Sequence, residues 1–297
     1  MEAIKRIHHI TAIVGDPNEN LRFYRDVLGL RLVKQTVNFD DPGVYHLYFA
    51  DNDATPGTVI TFFPWSNDNH GRKGSGQVGR IAFRVPKGNL SFWKERLRTQ
   101  DIEMETTRLF GKETIEFDDI HGLELAIVEG EEASDVDQIL GFHGAVLLSG
   151  NPEGTKELLT GQMGLKPIDI EDRNHHFETT GAEKHHIITA IPPQPAGRFG
   201  IGTVHHIAWS VPDKDTLKEW QAVLREEGYG VTVVKDRSYF ESIYLGEKGN
   251  VVFEFATDGP GFDLDEDMES LGSSLKLPEQ YEHRRPEYEK SLPELDI

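Results

Sequence analysis

The chain contains no cysteine among its 297 residues. Disulfide bonds and thiolate metal ligands are therefore both excluded. Long apolar runs are also missing, because no stretch approaches the roughly 20 apolar residues that a membrane-spanning helix needs. The first residues, Met1–Arg6, lack the apolar segment of a signal peptide. These absences predict a cytoplasmic protein that does not act in a membrane.

Basic residues are scarce relative to acidic ones. The chain has 31 lysines and arginines against 51 aspartates and glutamates, which gives a formal charge of −20 at pH 7. A nucleic-acid-binding surface needs a basic footprint that neutralises phosphates, so we expect no nucleic-acid partner. An acidic exterior favours solubility. It still leaves room for a local basic residue that receives an anionic substrate.

A short apolar run, followed by a proline or polar break and then by a helical pattern, occurs four times. Aligning the four runs gives one equivalent position, with intervals of 71, 63 and 63 residues between its occupants: His9, Arg80, His143 and His206. Each helical pattern is followed by alternating or apolar runs with turn residues between them, as expected for further strands. The repeat predicts an α+β fold of four βαβββ modules.

One such module leaves its sheet half covered, so the modules must pair into two incomplete barrels, each with a cavity. We expect an N-terminal domain of modules 1 and 2 at residues 4–131, and a C-terminal domain of modules 3 and 4 at residues 139–258. A tail follows at residues 259–297. The candidate ligands described next require module 1 to pair with module 4, which leaves module 2 to pair with module 3.

Two histidines and one glutamate are candidate metal ligands. His9 and His206 are each the second residue of a doublet that opens the first strand of modules 1 and 4, and Glu254 lies in the last strand of module 4. The first and last strands of a small curved sheet can bring alternate side chains to one concave face. Two imidazoles and a carboxylate are the ligand set of non-haem Fe(II) oxygenases, in which the opposite coordination positions stay open.

The remaining modules offer weaker candidates. Alignment of the last strands puts Phe62 at the position of Glu254, so module 1 supplies no fourth protein ligand and up to three coordination positions stay open. His143 has no partner and is interpreted as structural. The doublet at 185–186 mimics the motif, but it falls in a last strand rather than a first one.

Several segments resemble the vicinal oxygen chelate superfamily, which includes glyoxalases, bleomycin resistance proteins and extradiol dioxygenases. The similarity is greatest to its hydroquinone ring-cleaving dioxygenases, and it extends over nearly the whole chain. The segments that carry it are His8–Thr11, Thr36–Gly43, Val204–Ala208, Asp236–Tyr244, Ala256–Phe262 and Ser291–Leu295. The resemblance implies Fe(II) held by His9, His206 and Glu254. It also implies a histidine beside each histidine ligand, an arginine and a tyrosine in the pocket, which match His8, His205, Arg237 and Tyr244.

The resulting hypothesis is Fe(II)-dependent ring cleavage of a hydroquinone-type diol with incorporation of both atoms of O2. Mn(II) is the alternative metal, because ligand identity does not separate the two. His8, His205 and Tyr244 would be acid–base candidates, and Arg237 would neutralise developing negative charge. Three alternatives stay open: a catechol extradiol dioxygenase, a metal-dependent glyoxalase-type isomerase or lyase, and a metal-free protein that binds aromatic compounds. The expected partners are a small aromatic substrate and O2, and a homo-oligomer is compatible with the sequence.

Overall fold

The structure, a computed structural model, describes residues 1–66, 69–170 and 172–297. Module 1 contains β1 (Ile7–Val14), α1 (Pro17–Arg22), β2 (Arg31–Val37), β3 (Tyr45–Ala50) and β4 (Val59–Pro64). Module 2 contains β5 (Gln77–Val85), α2 (Leu90–Thr99), β6 (Met104–Leu109), β7 (Lys112–Asp118) and β8 (Glu124–Glu129). Module 3 contains β9 (Gly141–Leu148), α3 (Pro152–Glu157), β10 (Lys166–Ile168), β11 (His175–Glu178) and β12 (His186–Thr189). Module 4 contains β13 (Thr203–Val211), α4 (Lys214–Glu226), β14 (Lys235–Asp236), β15 (Phe240–Gly246) and β16 (Val252–Pro260). The tail adds α5 (Glu279–Glu282), α6 (Arg285–Ser291) and short 3-10 turns at Phe262–Leu264 and Met268–Ser270.

The strands of the described residues form two eight-stranded sheets. The first has the order β14-β15-β16-β13-β1-β4-β3-β2, and the second has the order β10-β11-β12-β9-β5-β8-β7-β6. Module 4 therefore pairs with module 1 and module 3 with module 2, which confirms the predicted α+β fold and its pairing of modules. Each sheet is joined at its centre by one antiparallel strand pair, β1 with β13 or β5 with β9. Each sheet takes strands from both residues 4–131 and residues 139–258. The division of the chain into domains at these bounds stays a prediction.

The helices cover the outer faces of the sheets with apolar stripes at helical spacing. In α4 the stripe is Leu217, Trp220 and Leu224, and all three are buried. The ring of Trp220 packs at 4.9 Å on Phe255 of β16. Because neighbouring side chains of a strand point to opposite faces, packing of Phe255 outward directs Glu254 inward. Among the described residues, no helix combines the length and the apolar character that crossing a bilayer requires.

The C-terminal tail packs against the first sheet through a buried ion pair. The side chain of Lys34 on β2 is completely buried, and its Nζ lies 2.6 Å from Asp265 Oδ1 and 2.5 Å from Glu266 Oε2. Further along the tail, the hydroxyl of Tyr45 donates a hydrogen bond to the carbonyl of Pro293 at 3.0 Å. The sheet that carries the candidate ligands is therefore fastened to residues at the end of the chain.

Removal of the Lys34 charge should release the tail. The side chain of Glu266 is only 2% exposed. In Lys34→Ala this carboxylate would therefore stay buried without a cation beside it. We expect a loss of about 3–5 kcal/mol in the free energy of unfolding, measured by urea denaturation. The control is Lys5→Ala, which removes an exposed ion pair with Glu2 and should cost less than about 1 kcal/mol. Equal losses in the two variants would contradict the anchoring role.

Candidate metal centre

The pairing of β1 with β13 brings the two predicted histidines together. In this antiparallel pair Thr11 lies opposite His206, and His9 lies opposite Ala208. On the other side of β13, β16 runs parallel with Glu254 beside Ala208. The Nε2 atoms of His9 and His206 are 3.2 Å apart. Oε2 of Glu254 lies 2.8 Å from Nε2 of His206 and 3.2 Å from Nε2 of His9.

These three distances suit three neighbouring positions around one octahedral metal ion. Ligand atoms at about 2.1 Å from a metal and at right angles to each other are about 3.0 Å apart, whereas tetrahedral ligands at that distance are about 3.4 Å apart. The observed separations of 2.8, 3.2 and 3.2 Å lie closer to the octahedral value. Among the described residues, this is the one cluster of three metal-binding side chains within bonding reach of a common centre.

The carboxylate of Glu254 is buried and charged, yet neither of its oxygens accepts a hydrogen bond from the described residues. Burial acts to raise its pKa, but His9 and His206 hold that pKa well below the usual value. A buried carboxylate that has only imidazole rings beside it and accepts no hydrogen bond would cost several kcal/mol of stability. A divalent cation between Glu254 and the two imidazoles would remove this cost, so the donor set fits a metal ion.

His8 fixes which nitrogen of His9 is free to bind a metal. Burial, together with the neighbouring His9, lowers the pKa of His8 to about 3, so its ring is neutral and carries one N–H. Nε2 of His8 lies 3.1 Å from the carbonyl oxygen of Thr257, which can only accept, so this N–H donates to Thr257. Nδ1 of His8 therefore accepts from Nδ1–H of His9 at 2.8 Å. The lone pair of His9 consequently lies on Nε2, the atom that faces Glu254.

His205 makes the equivalent contact in module 4, but its Nε2 has a different environment from Nε2 of His8. Its Nδ1 lies 2.8 Å from Nδ1 of His206. Burial, and then the neighbouring His206, lowers the pKa of His205 to about 3, so this ring is also neutral. Its ring borders the cavity described below, and no hydrogen bond joins its Nε2 to the described residues. In module 1 the outer histidine, His8, is thus hydrogen-bonded to the backbone, whereas in module 4 the outer histidine, His205, lines the cavity.

Two β-bulges explain why both histidines of each doublet reach the same side. Strict alternation predicts that His8 and His205 face away from the ligands. The register of β1 and β13 shifts between Ile7 and His9, which leaves His8 as an extra residue on β1. A second shift, opposite Thr11 and Ala12, leaves His205 as an extra residue on β13. A bulge redirects one side chain locally, and here it turns each first histidine toward its neighbour.

Thr61, and not Phe62, occupies the position in module 1 that Glu254 occupies in module 4. β4 runs parallel to β1 with Thr61 beside Thr11, in the same relation as β16 to β13. Phe62 points to the outer face, where its ring packs at 4.4 Å on Tyr24. The predicted alignment was therefore wrong by one residue, because a shift of one residue exchanges the two faces of a strand. The conclusion that module 1 adds no carboxylate is unaffected.

A cavity of about 210 Å³ opens beside the three side chains. Its walls include apolar rings from three separate segments of the chain: Phe39, Phe63, Trp65 and Phe240. Arg237 and Tyr244 line it as well, with Nε of Arg237 3.4 Å from the hydroxyl of Tyr244. Burial, and then Glu254, raises the pKa of Tyr244, so its hydroxyl keeps its proton. An engineered cavity of about 150 Å³ holds a benzene ring, so this cavity has room for one substituted ring.

The sequence analysis did not assign His46 and Tyr48 to the site, although both line the cavity. The hydroxyl of Tyr48 bonds to Nδ1 of His46 at 2.8 Å, and Nε2 of His46 bonds to Oγ1 of Thr61 at 2.8 Å. Burial lowers the pKa of His46 well below its ordinary value, so this chain of hydrogen bonds is neutral. Alternation in β3 could have put His46 and Tyr48 on one face, but it does not say which face is the inner one.

The histidines that the sequence analysis set aside lie on the second sheet. Nδ1 of His185 accepts a hydrogen bond from the backbone N–H of Ile7 at 2.9 Å, which is a structural role. His143 is buried, and its ring stacks at 4.7 Å on His186. A larger groove, of about 1120 Å³, borders the same sheet near Arg80. It contains none of the three candidate ligands.

Comparison with known proteins agrees with this fold. The profile of the Glyoxalase/Bleomycin resistance protein/Dioxygenase superfamily matches residues 6–127 and 141–255. The Bacillus subtilis protein MhqO, named as a candidate ring-cleaving dioxygenase, is 48% identical over 96% of this chain and 95% of its own length. The chlorohydroquinone/hydroquinone 1,2-dioxygenase of Sphingobium indicum is 31% identical over 98% of this chain and 97% of its own. A crystal structure of a candidate dioxygenase from Bacillus subtilis superimposes with a TM-score of 0.96, at 46% identity, over 100% of this chain and 99% of the other.

The chain belongs to the Glyoxalase/Bleomycin resistance protein/Dioxygenase superfamily. Within that superfamily its relatives make it an oxidoreductase of the ring-cleaving dioxygenase class.

Replacement of Glu254 by its neutral isostere should weaken metal binding strongly. Glu254→Gln keeps the size of the side chain but removes the charge, so we expect Mn(II) affinity to fall roughly 100-fold or more in equilibrium dialysis. Glu247→Gln is the matched control, because Glu247 is also a buried glutamate but bonds to Thr155 and the backbone of Val251. Unchanged Mn(II) affinity in Glu254→Gln, or equal losses in both variants, would exclude Glu254 as a ligand.

Proposed function

We propose that this protein is an Fe(II)-dependent dioxygenase that opens the ring of hydroquinone-type aromatic diols, with Mn(II) able to occupy the same site. In the reaction, a ring carbon–carbon bond next to a hydroxylated carbon breaks. Both atoms of O2 enter the product, and O2 is the oxidant. The observation that carries the proposal is the buried, charged Glu254 without a hydrogen-bond donor, which lies against two imidazole Nε2 atoms.

Three protein ligands suit an enzyme that must bring two reactants to one metal. His9, His206 and Glu254 would hold the ion, and the threonine at position 61 leaves the remaining positions without a protein carboxylate. A bound divalent metal would supply a Lewis acid and a common binding point for the diol and O2. A glyoxalase-type reaction usually employs a fourth protein ligand, and in this chain that place is taken by Thr61.

The residues around the three candidate ligands have distinct proposed tasks, and His8, unlike the others, does not line the cavity. His8 is a positioning residue, because it bonds to the backbone of Thr257 and sets the tautomer of His9. His205 and Tyr244 border the cavity and are the groups that can exchange hydrogen bonds with a bound diol. Arg237 would hold the hydroxyl of Tyr244 in place through a hydrogen bond from its Nε. The apolar rings of the walls would pack against the faces of the substrate ring.

Similarity to a hydroquinone dioxygenase supports the substrate class. The Sphingobium indicum relative, whose name specifies chlorohydroquinone and hydroquinone, matches this chain over nearly its full length. The cavity volume of about 210 Å³ is sufficient for a single substituted ring.

Oxygen uptake tests the proposal directly. Protein loaded anaerobically with Fe(II) should consume O2 with hydroquinone, and both atoms of labelled O2 should be found in the ring-opened product. His206→Ala should reduce the rate roughly 100-fold or more, because a metal ligand is lost. His186→Ala is the control from the doublet on the second sheet, and it should keep a rate near that of the unmodified protein.

The competing functions give different results in the same experiment. Uptake with catechol but not with hydroquinone would indicate an extradiol enzyme, and turnover of a methylglyoxal–glutathione adduct would indicate a glyoxalase-type reaction. Undiminished hydroquinone-dependent O2 uptake by His206→Ala would overturn the proposal. Absence of bound metal in protein prepared anaerobically with Fe(II) would instead favour a binding protein.

A further inference from the structure

The cavity wall contains one cationic side chain, Arg237, and two carboxylates, Asp40 and Asp41, among the described residues that line it. Both carboxylates come from the loop between β2 and β3. Oδ1 of Asn38 shapes this loop, because it accepts hydrogen bonds from the backbone N–H groups of Asp40 at 2.9 Å and Asp41 at 3.2 Å. Among these lining side chains the carboxylates therefore outnumber the cations.

Arg237 is already engaged by a carboxylate. One of its terminal nitrogens donates to Oδ2 of Asp40 at 3.1 Å, and its Nε contacts the hydroxyl of Tyr244 at 3.4 Å. Its Cζ lies 5.6 Å from the ring centre of Phe39, which holds the guanidinium from one side. The side chain of Arg237 is 13% exposed, whereas that of Asp40 is 65% exposed. The accessible member of the pair is thus the acid.

Asp40 also forms an ion pair with the neighbouring Lys235. Nζ of Lys235 lies 3.5 Å from the same Oδ2 atom. Partial burial acts to raise the pKa of Asp40, but Arg237 and Lys235 together hold it below the usual value. Asp40 is consequently ionised at neutral pH, and the two cations at this side of the cavity are both paired with it.

This arrangement is unfavourable for a ring that carries an anionic group. A carboxylate on the ring would have to displace Asp40 from Arg237, and it would approach Asp40 and Asp41 while doing so. Like charges brought together in this way oppose binding and are a means of rejecting a substrate. A neutral diol meets no such repulsion and leaves the Arg237–Asp40 pair intact.

We propose that Asp40 is a specificity-determining residue that, by engaging Arg237, restricts the cavity to aromatic diols without an anionic ring substituent. This inference rests on the proposed ring-cleaving function and narrows its substrate class.

Two diols of the same size test the inference: 2,5-dihydroxybenzoate and its neutral isostere 2,5-dihydroxybenzamide. The unmodified protein should prefer the amide. In Asp40→Asn the ratio of kcat/KM for the benzoate to that for the amide should rise roughly tenfold or more, because Arg237 becomes free to pair with the substrate carboxylate. The ratio of dissociation constants, measured by anaerobic calorimetry with Mn(II) bound, should shift in the same direction.

Asp41→Asn is the matched control. It removes the same charge from the same loop, but Asp41 bonds to Nε1 of Trp65 at 3.3 Å and does not contact Arg237. In this variant the ratio should change by less than about threefold. A preference of the unmodified protein for the benzoate, or equal shifts in the two variants, would overturn the role of Asp40.

The calorimetric measurement of binding separates this inference from the proposed function. Ring cleavage with no selective effect of Asp40→Asn would leave the function standing and refute the specificity role. Failure to open any diol, together with the expected shift in binding ratio, would refute the function and leave selective binding by Asp40 supported.

Discussion

The candidate site depends on one antiparallel contact, the pairing of β1 with β13. These strands belong to the first and last modules of the chain, and the two histidines that they carry are 197 positions apart in the sequence. The register of this pair sets the distance between His9 and His206. The parallel neighbour β16 then adds Glu254 on the same face. A slip of one residue in either strand would turn its ligand toward the outer face and separate the three groups.

The two halves of the first sheet share a geometry but differ in chemistry. Tyr48 lies opposite Thr61 in module 1 as Tyr244 lies opposite Glu254 in module 4. With a threonine in place of a second glutamate, module 1 adds no carboxylate to the candidate site, so the proposed metal would keep open coordination positions. Among the described residues of the second sheet, no three metal-binding side chains come together. There, small and apolar residues such as Ala82, Ala126 and Phe110 pack together, and Arg80 is held by Glu116 and Glu124.

The sequence alone predicted the modules and the three residues that converge, because repeats and strand alternation are encoded locally, and the pairing of modules followed from the need to bring those three residues together. It could not predict the register of the strand pairs or side-chain contacts between distant segments. Bulges at His8 and His205 broke the expected alternation, and the position of Phe62 was misassigned by one residue for want of a strand register. The contact between Asp40 and Arg237 joins residues 197 positions apart, and no local pattern indicates it. The roles of His8, His205, Arg237 and Tyr244 stay predictions.

The most direct test of the account is the position of the metal itself. Crystals grown anaerobically with Fe(II) should show one anomalous-scattering peak per chain at the iron absorption edge. We expect that peak at about 2.0–2.3 Å from Nε2 of His9, Nε2 of His206 and a carboxylate oxygen of Glu254. A peak bound by any other set of side chains, or none at this position in iron-loaded crystals, would contradict the account.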